Sequence, residues 1–201
     1  MITDRRAARG RDLAALVAEA IRGGADVVQL RDKEAPDASL AAEARRLLDV
    51  TRPAGVPLIV NDRIAVALAA GADGVHLGQS DASLAEARTA LGPRAIIGRS
   101  THTPEQAVLA EREGFDYIGV GPVFGTPTKP DYDPVGLELV RFAATSLDVP
   151  FVAIGGIDET NVDSVRSAGA RAVAVVRALM GAEDPRVSAA RLRGSAEAPS
   201  R

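Results

Sequence analysis

Short apolar runs rich in β-branched residues alternate along this chain with longer stretches in which apolar positions recur every three or four residues, the two periods of strand and helix. One phrase returns four times. It reads Gly23-Gly24-Ala25-Asp26-Val27-Val28-Gln29-Leu30, then Gly71-Ala72-Asp73-Gly74-Val75-His76-Leu77-Gly78, and again from Gly114 to Gly121 and from Gly169 to Val176. Each phrase starts where a helical pattern ends. A glycine closes the helix in a left-handed conformation, and the apolar run that follows is a strand buried on both faces. Further strand runs lie at Pro57–Asn61, Ala95–Gly98 and Pro150–Ile154, each followed by a helix-like segment. The helices are expected over roughly 11–22, 37–52, 62–70, 83–91, 104–113, 134–147, 159–168 and 185–193. Thr103-Pro104-Glu105-Gln106 and Asp184-Pro185 carry the cap and first-turn proline of a helix start.

Seven strands precede seven helices, and an eighth strand would be the stub Met1-Ile2-Thr3. Eight βα units of about 25 residues predict an α/β chain folded as a single-domain (β/α)8 TIM barrel over 1–193, with a short first strand. An open doubly wound sheet is the alternative, disfavoured by the lack of a glycine-rich phosphate fingerprint after the first strand. Residues 194–201, small and polar, read as a disordered tail.

Composition narrows the chemistry. The chain has 201 residues, 46% hydrophobic and 25% charged, and a net charge of −3 from 24 basic and 27 acidic side chains, with no basic segment suited to nucleic acid or a membrane surface. Zero cysteines exclude disulfides, thiol catalysis and sulfur-ligated metals, and two histidines are too few for a histidine-based zinc site. A metal would therefore sit on carboxylates. No run approaches the ~18–20 apolar residues of a membrane span and the N-terminus has no apolar signal core, so a cytoplasmic protein is expected.

In a parallel barrel the chemistry collects after the strand C-termini. After the second strand come Gln29, Arg31 and Lys33, the first two on one side of the strand by alternation, although Arg31 could simply pair with Asp32 or Glu34. The third strand ends in Asn61-Asp62 and the fourth leads to Asp81. Either aspartate alone could be a helix cap, whereas the pair suits Mg²⁺, which takes one or two carboxylates and completes its shell with water and phosphate oxygens. Ser100 and His102 follow the fifth strand. His76 reads as a satisfied interior residue and His102 as a hydrogen-bonding partner near a helix start. The loop after the sixth strand offers Thr126, Thr128 and Lys129 among prolines. Gly155-Gly156 brings bare amides to a helix N-terminus, where a monophosphate would bind, though a tight turn would also use these glycines. Two anion sites imply two phosphorylated small-molecule substrates.

The strings Gln29-Leu30-Arg31-Asp32-Lys33, Val60-Asn61-Asp62-Arg63, Gly74-Val75-His76-Leu77-Gly78-Gln79-Ser80-Asp81, Gly119-Val120-Gly121-Pro122-Val123-Phe124 with Thr126-Pro127-Thr128-Lys129, and Ile154-Gly155-Gly156-Ile157 closely resemble the thiamine-phosphate synthase family, in order across residues 2 to about 193. The resemblance implies a transferase that joins 4-amino-5-hydroxymethyl-2-methylpyrimidine diphosphate to 4-methyl-5-(2-hydroxyethyl)thiazole phosphate and releases pyrophosphate. It implies that Gln29, Arg31, Lys33, Asn61, Ser100 and Lys129 hold the pyrimidine diphosphate, with Arg31, Lys33, Ser100 and Lys129 acting in catalysis. Asp62 and Asp81 would hold Mg²⁺. Thr126, Thr128, Gly156, Val176 and the backbone at Arg177 would receive the thiazole phosphate. Two departures stand out. Arg177 occupies a place where the family usually has a small hydroxyl residue, an expected extra phosphate contact. Met1 stands where several apolar residues commonly precede Ile2-Thr3-Asp4, so either translation starts upstream or the barrel closes imperfectly. Rival readings are a thiazole tautomerase of the same fold and a non-catalytic phosphate sensor; oligomeric state is left open, a homo-oligomer included.

Overall fold

A computed structural model describes residues 1–126 and 133–194 of the chain. Seven parallel strands stand side by side in chain order: β1 Val28–Leu30, β2 Leu58–Asn61, β3 Gly74–Leu77, β4 Ile96–Thr101, β5 Tyr117–Val120, β6 Phe151–Ile154 and β7 Val173–Ala174. The seven predicted strands are all present, and their neighbour order is that of a βα chain wound in one direction. The helices are α1 Arg5–Ala8, α2 Leu13–Arg22, α3 Asp37–Thr51, α4 Ile64–Ala70, α5 Leu84–Leu91, α6 Pro104–Glu113, α7 Gly136–Ser146, α8 Val162–Ser167, α9 Arg177–Met180 and α10 Pro185–Arg193. The one-turn helices α1 and α9 have no apolar period for a sequence reading to detect. The segment 194–201 lies, Gly194 apart, outside the described residues.

The stub is shorter than a strand yet touches both edges of the sheet. Ile2 forms a parallel bridge with Gln29, Thr3 N donates to Gln29 O at 2.9 Å, and Ile2 N donates to Val175 O at 3.0 Å. Strands β1 to β5 are buried on both faces as expected, with Val28, Leu58, Ile59, Val75, Leu77, Ile97 and Ile118 at most 1% exposed, whereas β6 and β7 are only partly buried, Ala153 apart. Outside them pack small faces of the helices, such as Ala20, Ala44, Ala67, Ala87, Ala107 and Ala143, which lets helix and sheet approach closely.

The repeated phrase has a structural reason beyond its glycine. Gly71 and Gly114 take left-handed backbone at the ends of α4 and α6, whereas α2 and α8 close on Gly23 and Ala168 in right-handed backbone, with the positive φ one residue later at Gly24 and Gly169. The aspartate two residues on then reaches sideways: Asp73 accepts from Leu58 N at 2.7 Å, and Asp116 accepts from Ile97 N at 2.7 Å. These N–H groups lie near the N-terminal ends of β2 and β4, and the carboxylate of the neighbouring phrase supplies their acceptor. Helix starts follow the expected chemistry. Thr103 caps Gln106 N while the Gln106 side chain accepts from His102 N, and Asp184 caps Arg186 N and Val187 N.

Asp73→Ala leaves the Leu58 N–H without its acceptor, and a loss of about 1–3 kcal/mol in urea-unfolding stability is expected, with Asp73→Asn retaining part of it; an unchanged midpoint for Asp73→Ala would remove this role.

Candidate active site

Because all strands run one way, their C-terminal ends form one rim, and a cavity of about 570 Å³ opens into the space they surround. Gln29, Arg31, Asn61 and Ser100 line it from β1, β2 and β4. Thr126, Gly156, Val176 and Arg177 line it from the other side. Eight of the eleven residues expected to contact substrate thus share one cavity. Lys33 stands beside it, exposed, and pairs with Asp62 at 3.8 Å. Thr128 and Lys129 lie outside the described residues.

Arg31 lies half-buried next to Asp4, its guanidinium 3.9 Å from that carboxylate, while its backbone N–H donates to Thr3 Oγ1. The pairing with Asp32 or Glu34 that the sequence allowed does not form. Asp32 is held by Arg5 at 2.7 Å and by the N–H groups of Glu34 and Ala35, and Glu34 by Arg6. Asp4 pairs loosely, so the Arg31 guanidinium has donors to offer a ligand.

Neither Asp62 nor Asp81 caps a helix. The cap position of α4 is Arg63, which makes no capping bond, and α5 is capped by Ser83 in a reciprocal box with Glu86. Asp62 instead takes a left-handed backbone at φ 61°, unusual for a residue with a side chain, as the chain leaves β2. This turn brings its carboxyl into hydrogen-bonding contact with that of Asp81, whose other contact is Gly78 N–H at 2.6 Å. Burial, then the Asp81 hydrogen bond and charge, push the Asp62 carboxyl up to about 6, with Lys33 and Arg31 pulling the other way. Two carboxylates confined together in a half-buried site, facing two cations, have the donor chemistry of a Mg²⁺ site finished by phosphate oxygens. Among the described residues no group of three or more His, Cys, Asp or Glu converges, so the protein's share is two carboxylates.

On the opposite side, Gly155 at φ 103° and Gly156 at φ 64° turn the chain after β6. A Cβ on Gly156 would lie 2.8 Å from Gly125 O, so the glycine is required by close approach of the preceding loop. The expected helix start just behind these glycines is displaced: α8 begins at Val162. Asp158 accepts from Thr160 N and Thr160 Oγ1, and Asn161 Nδ2 donates to Gly156 O, which uses residues 158–161 for a turn. Arg177 is exposed at the cavity mouth, and its charge adds to the Thr160 hydrogen bonds that hold the Asp158 carboxyl low.

The histidines behave as read. His102 Nδ1 bonds Gly121 O, and His76 is buried with Nδ1 2.9 Å from Tyr117 Oη and Nε2 2.9 Å from Ser100 Oγ. Tyr117 is the cavity residue the sequence reading missed, because it opens a strand and looks like packing. The one available signal was its place one strand over from Gly98, with which it is paired in register.

Fold and rim together define a parallel α/β protein with carboxylate and cationic side chains gathered at its strand C-termini. A family model described as thiamine monophosphate synthase matches residues 1–179. A thiamine-phosphate synthase of Gloeobacter violaceus is 54% identical over 87% of this chain, which spans about half (51%) of that relative's length. One of Roseiflexus castenholzii is 51% identical over 92% of this chain and 82% of its own. The solved structure of a thiamine phosphate pyrophosphorylase from Pyrococcus furiosus superposes with a TM-score of 0.87 at 40% identity, covering 96% of this chain and 92% of that one. The chain belongs to the thiamine monophosphate synthase family. A 3-hexulose-6-phosphate synthase, 18% identical with a TM-score of 0.69, shares the fold.

Asp62→Asn keeps a side chain that tolerates left-handed backbone while removing one of the two confined charges. A carboxyl raised in the folded state opposes folding once it ionises, so in EDTA the variant should be more stable than the parent above pH 6, by an amount on the order of 1–2 kcal/mol. The gap should close as pH falls from 6 toward 4. Thermal melts across that range check this, and equal melting at pH 8 would contradict it.

Proposed function

We propose that this chain is a thiamine-phosphate synthase, a transferase that joins 4-amino-5-hydroxymethyl-2-methylpyrimidine diphosphate to 4-methyl-5-(2-hydroxyethyl)thiazole phosphate with release of pyrophosphate. Family membership supports it, and the observation that carries it to chemistry is the Asp62–Asp81 pair, set beside Arg31 and Lys33 on the same rim as the Gly156 turn. One charged cluster suits a metal-bound diphosphate; the other side suits a single phosphate. In this reading the stub Ile2 completes an eighth strand between β7 and β1, so that residues 1–193 form one closed (β/α)8 domain with a continuous rim. The cytoplasmic location expected from the lack of a membrane-length apolar run and of an apolar signal core is retained with it.

Asp62 and Asp81 would hold Mg²⁺, which when bound supplies positive charge to the diphosphate oxygens. Arg31 and Lys33 point donors at the same oxygens, with Lys129 assigned there by motif. The diphosphate gains charge as its ester bond to the pyrimidine methylene breaks, so cations fixed at its oxygens favour the transition state over the bound substrate. Gln29, Asn61 and Ser100 orient the pyrimidine end from the cavity wall. Thr126, Thr128, the Gly156 amide region, Val176 and Arg177 seat the thiazole phosphate, presenting the ring nitrogen to the methylene carbon. That nitrogen attacks with a free lone pair, so no general base is required. The chain agrees: His76 has both ring nitrogens engaged and His102 its Nδ1.

Mixing both substrates with and without Mg²⁺ and reading thiamine phosphate and pyrophosphate by mass spectrometry tests the reading; no product with the metal present would reject it. A tautomerase would need neither diphosphate nor metal, and a sensor would bind without turnover. Arg31→Gln should lower kcat/KM by about 100-fold, as loss of a charge-assisted contact to a developing anion does, with the melting temperature little changed.

A further inference from the structure

Three side chains from three neighbouring strands make one hydrogen-bonded chain through the space the sheet surrounds. His76, Gly98 and Tyr117 sit at the same register level on β3, β4 and β5. The glycine in the middle is what lets the two rings meet. A Cβ at position 98 would lie 2.2 Å from Tyr117 Cζ and 2.6 Å from His76 Nδ1. Gly119, beside Ser100 in register, gives the His76 ring its other wall, since a Cβ there would come 3.3 Å from Cε1. The ring is thus slotted between two glycines with its plane fixed. Its Nδ1 meets Tyr117 Oη and its Nε2 meets Ser100 Oγ, both at 2.9 Å.

Such a chain has a direction, because a neutral imidazole carries one donor and one acceptor. Burial pushes the Tyr117 phenol up, so it stays protonated, and a phenol is a stronger donor and a poorer acceptor than an aliphatic hydroxyl, so of the two hydroxyls flanking the ring Tyr117 Oη is the one that donates. The Tyr117 hydrogen is then directed at His76 Nδ1. That leaves the proton on Nε2, donating to Ser100 Oγ, and the hydroxyl hydrogen of Ser100 has to point elsewhere. The open direction is the cavity that Ser100 lines.

We propose that Tyr117 and His76 are positioning residues that fix Ser100 as a hydrogen-bond donor into the site. This rests on the synthase reading for its consequence: the acceptor that gains charge during the reaction is the departing diphosphate, so an oriented donor there acts on kcat. The reverse chain would present Ser100 as an acceptor, the wrong polarity for an anion.

Two measurements test the proposal. With only two histidines in the chain, long-range ¹H–¹⁵N correlation on the substrate-free protein reads the His76 tautomer, assigned by loss of its signals in His76→Gln. Nε2–H is expected in the parent, with the second tautomer emerging in Tyr117→Phe; Nδ1–H in the parent would overturn the proposal whatever the turnover. In steady-state assays Tyr117→Phe should lower kcat about 10-fold with KM within about 2-fold, the size of one hydrogen bond to a charged group. The same substitution made in Ser100→Ala should change kcat less than about 2-fold, because the chain no longer ends in a hydroxyl. Equal losses in both backgrounds would make Tyr117 a packing residue and overturn the proposal. Absence of product from the parent, with Nε2–H observed, would reject the synthase reading and leave the orienting chain standing.

Discussion

Parallel pairing in chain order is the constraint on which everything else depends. With seven strands in one sequence of neighbours, every strand C-terminus opens on the same rim, and residues as distant in sequence as Arg31, Asp62, Ser100 and Gly156 converge there without any long-range design of their own. A single antiparallel strand would send its functional end to the opposite side. The packing that enforces this order is ordinary: β-branched strands, and helices whose inner faces mix alanine with leucine and valine. The strand interior is therefore free to carry polar residues at a few levels, and the chain uses that freedom at Gln29, His76 and Tyr117.

What the sequence made legible was whatever repeats locally. Strand count, helix caps at Thr103 and Asp184, and the motif residues at strand ends follow from short-range period and turn chemistry. The residues it missed act through neighbours in space. Tyr117 looks like packing until Gly98, on the next strand, is known to lie at its level. The left-handed backbone of Asp62 has no glycine or asparagine to announce it, and it decides whether two carboxylates cap helices or face each other. The displaced start of α8 has the same origin, for Asn161 bonds back to Gly156 rather than forward into the helix.

Glycine at Gly98 and Gly119 shows how a site residue can be conspicuous by volume removed. Each leaves a gap that one ring of a neighbouring strand fills, so the cost in backbone entropy is balanced by a single, oriented hydrogen-bonding arrangement. Larger residues at these positions would fill the interior with apolar volume and more stability, but with no defined hydroxyl direction at Ser100.

The aspartates draw the same contrast at the scale of the whole sheet. At the strand N-terminal ends Asp73 and Asp116 meet backbone N–H groups, and Asp116 also an arginine, Arg88; these carboxylates are satisfied and support folding. At the C-terminal ends Asp62 meets another carboxyl and is pushed toward holding its proton. One residue type, at opposite ends of neighbouring strands, is thus stabilising at one end and unfavourable at the other. Like charges confined in this way would be relieved by a cation, and under the proposed Mg²⁺ reading the folding energy withheld at the rim would reappear as affinity for it. The lower end of the sheet, where Asp73 and Asp116 are paired, supplies stability that lets the upper end remain unsatisfied.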